Sequence, residues 1–177
     1  MIRTIQVALV LREAVTTPYP NLVTRPTGAL VRDRIAAMLE EAECQVAILD
    51  FSAVACLDVS CADEIVAKLL LAVPRDAYVV VRGLDEEQRE AVEQVLQRRQ
   101  LAVVVADAPA ADVVGWVTDD VRAAFVALAH AGGAGAAELA RHLGWDEPRA
   151  AAALDVLAAH RVVRRGADGR CHPLQAA

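Results

Sequence analysis

Aromatic residues and lysine are scarce in this chain, and it has no long apolar run. Phe, Trp and Tyr make up 3% of its 177 residues, and Lys68 is its single lysine. No stretch of about 18 uninterrupted apolar residues occurs, so the sequence predicts no transmembrane helix. The start has no basic region followed by a long apolar segment, so no secretory signal is expected. We therefore expect a cytoplasmic protein whose core is built from Ala, Val and Leu.

Apolar residues are abundant by contrast. They form 56% of the chain, against ~45–50% in an average globular domain, which excludes a wholly disordered protein. The length fits one large domain or two small ones. The four cysteines include no Cys-x-x-Cys pair, so we expect them to be reduced and structural, with no metal site. They are Cys44, Cys56, Cys61 and Cys171.

The charge is divided unevenly along the chain. Residues 1–117 hold 11 basic and 17 acidic side chains, whereas residues 118–177 hold 7 of each. An acidic front half does not attract nucleic acid unaided, because neutralising phosphates takes clustered cations. The neutral back half would bind DNA only if its arginines shared one face.

Strands and helices alternate through the first hundred residues. A first strand is predicted from Arg3 to Leu11, with Val7, Leu9 and Leu11 on one face. Further buried strands are predicted where nearly continuous apolar runs occur, at 45–51, 77–82 and 101–106. This alternation indicates an α/β sandwich that is mainly parallel in its later strands.

Ser60 begins the helix that follows the predicted strand at 45–51. Its side chain is predicted to cap the first turn, and Asp63 three residues later completes a capping-box-like pair.

The pattern changes near residue 107, after which no strong strand is predicted until Arg161. Thr118 opens a helix, glycines break it at 132–135, and helices follow at 136–143 and 146–160. Two short strands around a glycine-containing turn come last. We expect an α/β domain at 1–106, a linker at 107–117 and a second domain at 118–177, with the two domains folding independently.

Motifs of catalysis and cofactor binding are missing. The chain has no Gly-x-Gly-x-x-Gly, phosphate loop, His-Glu-x-x-His or Gly-x-Ser-x-Gly. A small enzyme using Asp50, Asp58 and Ser60 is an alternative, but no base or cofactor site accompanies these residues. The sequence favours a non-enzymatic protein without cofactor or metal.

The most informative stretch is residues 49–64, LDFSAVACLDVSCADE. A buried strand ends at Asp50, and Asp58 and Ser60 then lie at a helix start, where free backbone N–H groups and the helix dipole favour negative charge. A phosphate on Ser60 would find these donors and add about −2 of charge to the surface.

This stretch resembles the STAS fold of anti-sigma factor antagonists, in which an Asp-Ser-Ser-Gly-like element opens a helix after a hydrophobic strand. It is closer to the STAS-like domain family, whose Asp-Phe-x-x-Val and Ser-Phe-x-Asp-Glu elements are similar to residues 50–54 and 60–64. The lead-in of residues 22–25, followed by Gly28, is similar too.

The resemblance implies that Ser60 is a regulatory phosphorylation site and that Asp58 is the acid of the motif. It also implies a protein partner, either a kinase or an anti-sigma-like regulator. Val59 and Cys61 depart from the antagonist motif, which has serine and glycine there. The alternative is that Ser60 is a plain helix cap with no regulatory role.

The back half resembles the winged-helix domains of bacterial regulators in the order and length of its elements. Residues 138–143 match the start of their second helix, and residues 162–165 match their wing. The resemblance implies DNA contact by arginines of the third helix and the wing: Arg149, Arg161, Arg164, Arg165 and Arg170. About three or four phosphate contacts from the wing would give weak, salt-sensitive binding unless the protein dimerised.

The predicted function is that of a non-enzymatic cytoplasmic bacterial regulator. Its STAS-like domain would bind a protein partner, and its winged helix would contact double-stranded DNA to regulate transcription. The alternative is a protein-interaction adaptor or dimerising scaffold that binds no DNA, and a homodimer is compatible with both. A continuous positive face on the wing and third helix would favour DNA, and a mixed or apolar face would favour the adaptor.

Overall fold

The computed structural model describes residues 1–16, 19–41, 45–107 and 109–174. In chain order its strands are β1 (Ile2–Gln6), β2 (Asn21–Leu22), β3 (Val46–Asp50), β4 (Cys56–Leu57), β5 (Tyr78–Arg82), β6 (Ala102–Val105), β7 (Asp112–Gly115), β8 (Val163–Arg165) and β9 (Cys171–Pro173). Its helices are α1 (Val7–Ala14), α2 (Arg25–Glu41), α3 (Val59–Ala62), α4 (Leu69–Ala72), α5 (Glu86–Arg98), α6 (Asp119–Ala131), α7 (Ala136–Leu143) and α8 (Glu147–Ala159), and a π-helix (Asp63–Lys68) joins α3 to α4. None of these helices is both long and apolar enough to cross a bilayer.

Five strands form the central sheet in the order β1-β3-β5-β6-β7. The first four are parallel, and β7 pairs antiparallel with β6. Two smaller pairings accompany this sheet, β2 with β4 in parallel and β8 with β9 antiparallel. The chain therefore has the mixed α/β class that the sequence predicts.

Alternate residues of the central strands point into two different cores, because side chains alternate across a strand. Val79 and Val81 join a first core with α1, α2, the α3–α4 helix and α5. Val80 lies in a second core on the other side of the sheet. The second core is shared by the sheet and residues 119–174, here named the C-terminal unit. Its sheet and helix members include Val46, Ile48, Val80, Val104, Val113, Phe125, Leu128 and Leu154.

The predicted first strand is wrong beyond Gln6, because a helix begins at Val7. Val7, Val10 and Leu11 are buried, whereas Leu9 is 49% exposed. The buried positions follow the i, i+3, i+4 spacing of a helix, and the alternation of Val7, Leu9 and Leu11 was a weaker pattern within the same residues. Strands 45–51, 77–82 and 101–106 are confirmed within about one residue at each end.

Segment 107–117, predicted as a linker, contains a strand of the central sheet. β7 places Val114 in the first core and Val113 in the second. Asp112 on this strand accepts hydrogen bonds from Arg89 of α5 at 2.6 Å and from Arg122 of α6 at 3.0 Å. The prediction of no strong strand between residue 107 and Arg161 therefore misses β7, and the C-terminal unit packs directly on the sheet.

The C-terminal unit has the element order and boundaries that the sequence predicts. Thr118 Oγ1 accepts from Val121 N at 3.3 Å at the start of α6, and Gly132, with φ 72°, ends that helix. Asp146 Oδ1 accepts from Arg149 N at 2.8 Å at the start of α8. An isolated bridge between Ala134 and Cys171 adds a third segment beside the β8–β9 hairpin.

Candidate functional site

Asp58, rather than Ser60, caps α3. Asp58 Oδ1 accepts from the backbone N–H of Cys61 at 2.8 Å, and Asp58 has the extended backbone of an N-cap. Ser60 lies in the first turn, where its Oγ donates to the same Asp58 Oδ1 at 2.8 Å. The predicted Ser60 cap is therefore wrong, because the carboxylate two residues earlier already occupies the capping position. The structure does bring Asp58 and Ser60 into direct contact.

Two sequence elements that carry the family resemblance meet at this helix start. The β2–β4 pairing aligns Leu22 with Leu57, and the N–H of Asp58 donates to the carbonyl of Leu22 at 2.9 Å. Gly28 of α2 lies so close to α3 that a Cβ there would be 3.0 Å from Cys61 Cα. A side chain at residue 28 would push the two helices apart, which gives the glycine a packing role.

Asp63 is buried and bound by two arginines from neighbouring helices. It accepts from Arg99 Nε at 2.5 Å and Nη2 at 2.9 Å, and from Arg25 Nη1 at 2.9 Å. The Arg99 hydrogen bonds, opposed by burial and assisted by Arg25, lower the pKa of Asp63 to about 2. Asp63 is therefore the anchor of α2 and α5 on the π-helix, and not the capping partner that the sequence predicts.

Glu64 is the second buried carboxylate, with 2% of its surface exposed. It accepts from Arg25 Nη1 at 2.7 Å and also from Arg32 and Lys68. Burial raises its pKa, but the hydrogen bonds from Lys68 and Arg25 lower it further, so the net pKa lies below the usual value. Removing any one cation would leave part of a buried charge unpaired.

Cys61 completes the packing between α2 and α3. Its Sγ donates to the carbonyl of Thr24 at 3.0 Å, and burial together with the nearby charge of Asp58 raises its pKa to about 12. The thiol is thus protonated and unreactive at neutral pH. Cys171 is also a buried free cysteine and Cys56 an exposed one, while Cys44 lies outside the described residues.

A cleft of about 230 Å³ opens beside these carboxylates. Its lining residues, here named the arginine cleft, are Arg25, Val59, Asp63, Val95, Arg98 and Arg99. Arg98 is exposed and forms no hydrogen bond or ion pair with any residue in the described part of the chain. The sequence pattern alone did not identify these arginines. Two sequence features could have pointed to this cleft: the adjacent pair Arg98–Arg99 at a helix end, and Arg25 in the lead-in element.

The residues of the enzymatic alternative have separate partners. Asp50 accepts from Ser52 Oγ at 2.5 Å and from Arg82 Nε at 3.0 Å, whereas Asp58 binds Ser60 and Cys61. The two carboxylates share no hydrogen-bonding partner among the described residues. Ser60 Oγ contacts the Asp58 carboxylate, which also caps the helix. Among the described residues, no histidine contacts Ser60 Oγ.

Three of the five arginines predicted to bind DNA are paired with carboxylates of the C-terminal unit. Arg149 donates two hydrogen bonds to Asp120, at 2.8 and 2.7 Å, and lies 4.3 Å from the centroid of the Trp145 ring. Arg165 donates to Asp155 at 2.6 Å. Arg170 pairs with Glu138 and donates to the carbonyl of Gly133 at 3.1 Å.

The other two arginines contact the sheet side of the molecule. Arg161 donates to the carbonyls of Pro74 at 2.8 Å and Val73 at 3.3 Å, and also to that of Leu70, so it caps the end of α4. Arg164 lies 5.9 Å from the centroid of the Tyr78 ring. Four of the five arginines are thus bound by oxygens of the protein, three by carboxylates and Arg161 by backbone carbonyls. The exposed surface of α8 is mixed, with Glu147, Arg149, Ala152, Asp155 and Val156.

Comparisons of the chain with protein-family models, with curated proteins and with solved structures found no match. Within the described ranges, no three His, Cys, Asp or Glu side chains are grouped so that they could hold a metal ion. The candidate site is therefore defined by its geometry alone: the Asp58–Ser60 helix start and the arginine cleft beside it.

Proposed function

We propose that this chain is a non-enzymatic, cytoplasmic regulatory adaptor that works by binding proteins. Its front half is a STAS-like domain that binds a partner at the start of α3, with Ser60 as the regulatory position. Its C-terminal unit is a winged helix that makes protein contacts and not DNA contacts. The observation that carries this choice is the pairing of Arg149, Arg165 and Arg170 with carboxylates of their own unit.

The pairing matters because counterion release drives DNA binding. A neighbouring carboxylate lowers the attraction of an arginine for phosphate, because its negative charge offsets that of the guanidinium and repels the phosphate. Arg149, Arg165 and Arg170 each have such a neighbour, which is Asp120, Asp155 and Glu138 respectively. The mixed exposed surface of α8 also lacks the basic side chains that a recognition helix needs in the major groove.

Ser60 suits a regulatory role because the helix does not need its hydroxyl. Asp58 supplies the cap, and Ser60 Oγ donates to that carboxylate. Ser60 is half-buried at the helix start, and Oγ modification would place negative charge at the end of the helix that favours it. Modification would therefore change the surface presented to a partner, and it would replace the hydrogen bond to Asp58 with a contact between like charges.

The test is a titration of a partner recovered by pull-down, using Ser60→Asp and its matched control Ser60→Asn. Asp adds a charge and Asn is its uncharged isostere, so a switch should change partner affinity at least tenfold for Asp alone, about 1.4 kcal/mol. The melting temperature of Ser60→Asn should be close to that of the wild type, and that of Ser60→Asp should be slightly lower, because the new carboxylate adjoins Asp58. Equal affinities for wild type and Ser60→Asp would leave Ser60 without a regulatory role.

A DNA-binding regulator is the second candidate, supported by the element order α6-α7-α8-β8-β9 and by Arg164, which has no carboxylate partner in the described ranges. Replacing Arg164 and Arg165 with Ala should then lower the salt dependence of duplex binding by about two counterions. An unchanged salt slope would exclude the hairpin as a DNA contact.

A further inference from the structure

We propose that the arginine cleft binds an acidic side chain of the protein partner. The inference rests on the proposed function, because it gives the partner-binding surface a chemical preference. Three features of the cleft support it: its charge, its unused hydrogen-bond donors and its size.

Positive charge is concentrated at the cleft although the whole chain carries a net charge of −6. Five of the 11 basic residues of segment 1–117 lie in the cleft or bind its two buried carboxylates: Arg25, Arg32, Lys68, Arg98 and Arg99. Asp63, Glu64 and Asp33, which pairs with Arg32, balance three of these charges, and Asp58, next to the lining residue Val59, balances a fourth. The cleft is therefore a locally positive site on an acidic surface.

The arginines retain donors that an incoming anion could use. A guanidinium has five N–H donors, and Arg25 uses only Nη1 for both Asp63 and Glu64, with its side chain 51% exposed. Arg98 uses none of its donors within the described ranges. A carboxylate entering the cleft could accept two hydrogen bonds from one of these guanidinium groups, the geometry that arginine favours.

The size of the cleft fits one acidic side chain. Its volume of about 230 Å³ equals that of roughly eight waters at ~30 Å³ each. Val59 and Val95 supply apolar contacts for the methylene groups of a glutamate. A duplex is bound by rows of cations along its backbone, whereas one cleft with few free donors matches a peptide side chain better.

A fluorescein-labelled hexaglutamate peptide titrated with the full chain tests the proposal by fluorescence anisotropy at low salt. Arg98→Gln removes a charge that holds no structural ion pair, so folding should be unaffected. Arg75→Gln is the matched control, because Arg75 is also exposed and unpaired in the described part of the chain but lies outside the cleft. We expect Arg98→Gln to weaken binding at least fivefold and Arg75→Gln less than twofold.

Equal effects of Arg98→Gln and Arg75→Gln would overturn the proposal, because binding would then depend only on net charge. Absence of binding at millimolar peptide would also overturn it. Displacement of the peptide by inorganic phosphate at lower concentration would replace the acidic side chain with a phosphate ligand and so refute the proposal as stated. The peptide is independent of the natural partner, so each of these failures leaves the Ser60→Asp partner titration as a separate test of the proposed function.

Discussion

Asp58 and Ser60 lie at the same helix start but have different roles, because Asp58 caps the helix and Ser60 does not. Asp58 accepts from the backbone N–H of Cys61, whereas the Ser60 hydroxyl donates to Asp58 and binds no N–H of the first turn in the described ranges. Asp58→Ala should therefore lower the free energy of unfolding by about 0.5–2 kcal/mol, the usual cost of a lost N-cap. Ser60→Ala should change it by less than about 0.5 kcal/mol. Urea denaturation of both variants measures this, and a larger loss for Ser60→Ala would restore Ser60 as the cap.

The buried carboxylate of Asp63 should make stability depend on pH in acid. Its pKa is about 2 in the folded protein and ~3.9 in an unfolded chain. The unfolded chain therefore binds a proton first as pH falls, and the stabilisation present above pH ~4 is lost between pH ~4 and ~2. The depressed pKa of Glu64 acts in the same direction.

Asp63→Asn should cost about 1–3 kcal/mol at pH 7, because the Arg99 hydrogen bonds lose their charged acceptor. It should also flatten the decline of stability in acid, measured by urea unfolding at pH 2, 3, 4 and 7. Asp76→Asn is the control, since Asp76 is exposed and has no ion pair in the described ranges. A decline as steep in Asp63→Asn as in the wild type would contradict the assignment.

At the scale of elements, the apolar residues 7–11 fit either the strand predicted from the sequence or the helix α1. Leu11 is fully buried in the first core and Leu9 is 49% exposed. Leu11→Ala should cost about 2–5 kcal/mol, and Leu9→Ala should stay within about 0.5 kcal/mol. Thermal unfolding of the two variants measures the loss of stability at each position. Similar losses at both positions would indicate the strand that the alternation predicts.

The elements that the sequence predicts well are those with strong local signals. Continuous apolar runs marked β3, β5 and β6, and caps with flanking glycines marked α6 to α8. β7 was missed because its two valines are too few to form a recognisable run and become buried only by pairing with β6. The sequence pattern also identified Asp58 and Ser60 as site residues. It did not identify the arginines, because Arg25 and Arg99 meet Asp63 only through tertiary packing.

At the scale of the whole molecule, the second core joins the front half to the C-terminal unit. Val46, Ile48, Val80 and Val104 are all at most 2% exposed in the full chain and face that core. Exposing four such side chains costs about 6–12 kcal/mol at ~1.5–3 kcal/mol each. This is comparable to the total stability of a typical domain, about 5–15 kcal/mol.

A fragment of residues 1–106 should therefore fail to unfold cooperatively and should bind a hydrophobic dye, because it lacks β7 and exposes one sheet face. Residues 1–174 are the control and should give a single cooperative transition. Circular dichroism during urea unfolding measures both. A soluble fragment 1–106 with a sharp transition would instead support the independent domains expected from the sequence.

The choice between a protein adaptor and a DNA-binding regulator is tested most directly by the intact chain and a labelled DNA duplex at low salt. Arginine pairing in the C-terminal unit predicts no anisotropy change up to ~10 μM protein at ~20 mM salt, conditions in which non-specific DNA binders normally associate. Micromolar or tighter binding, with a salt slope of about three or four counterions, would contradict the adaptor and favour DNA binding through the hairpin.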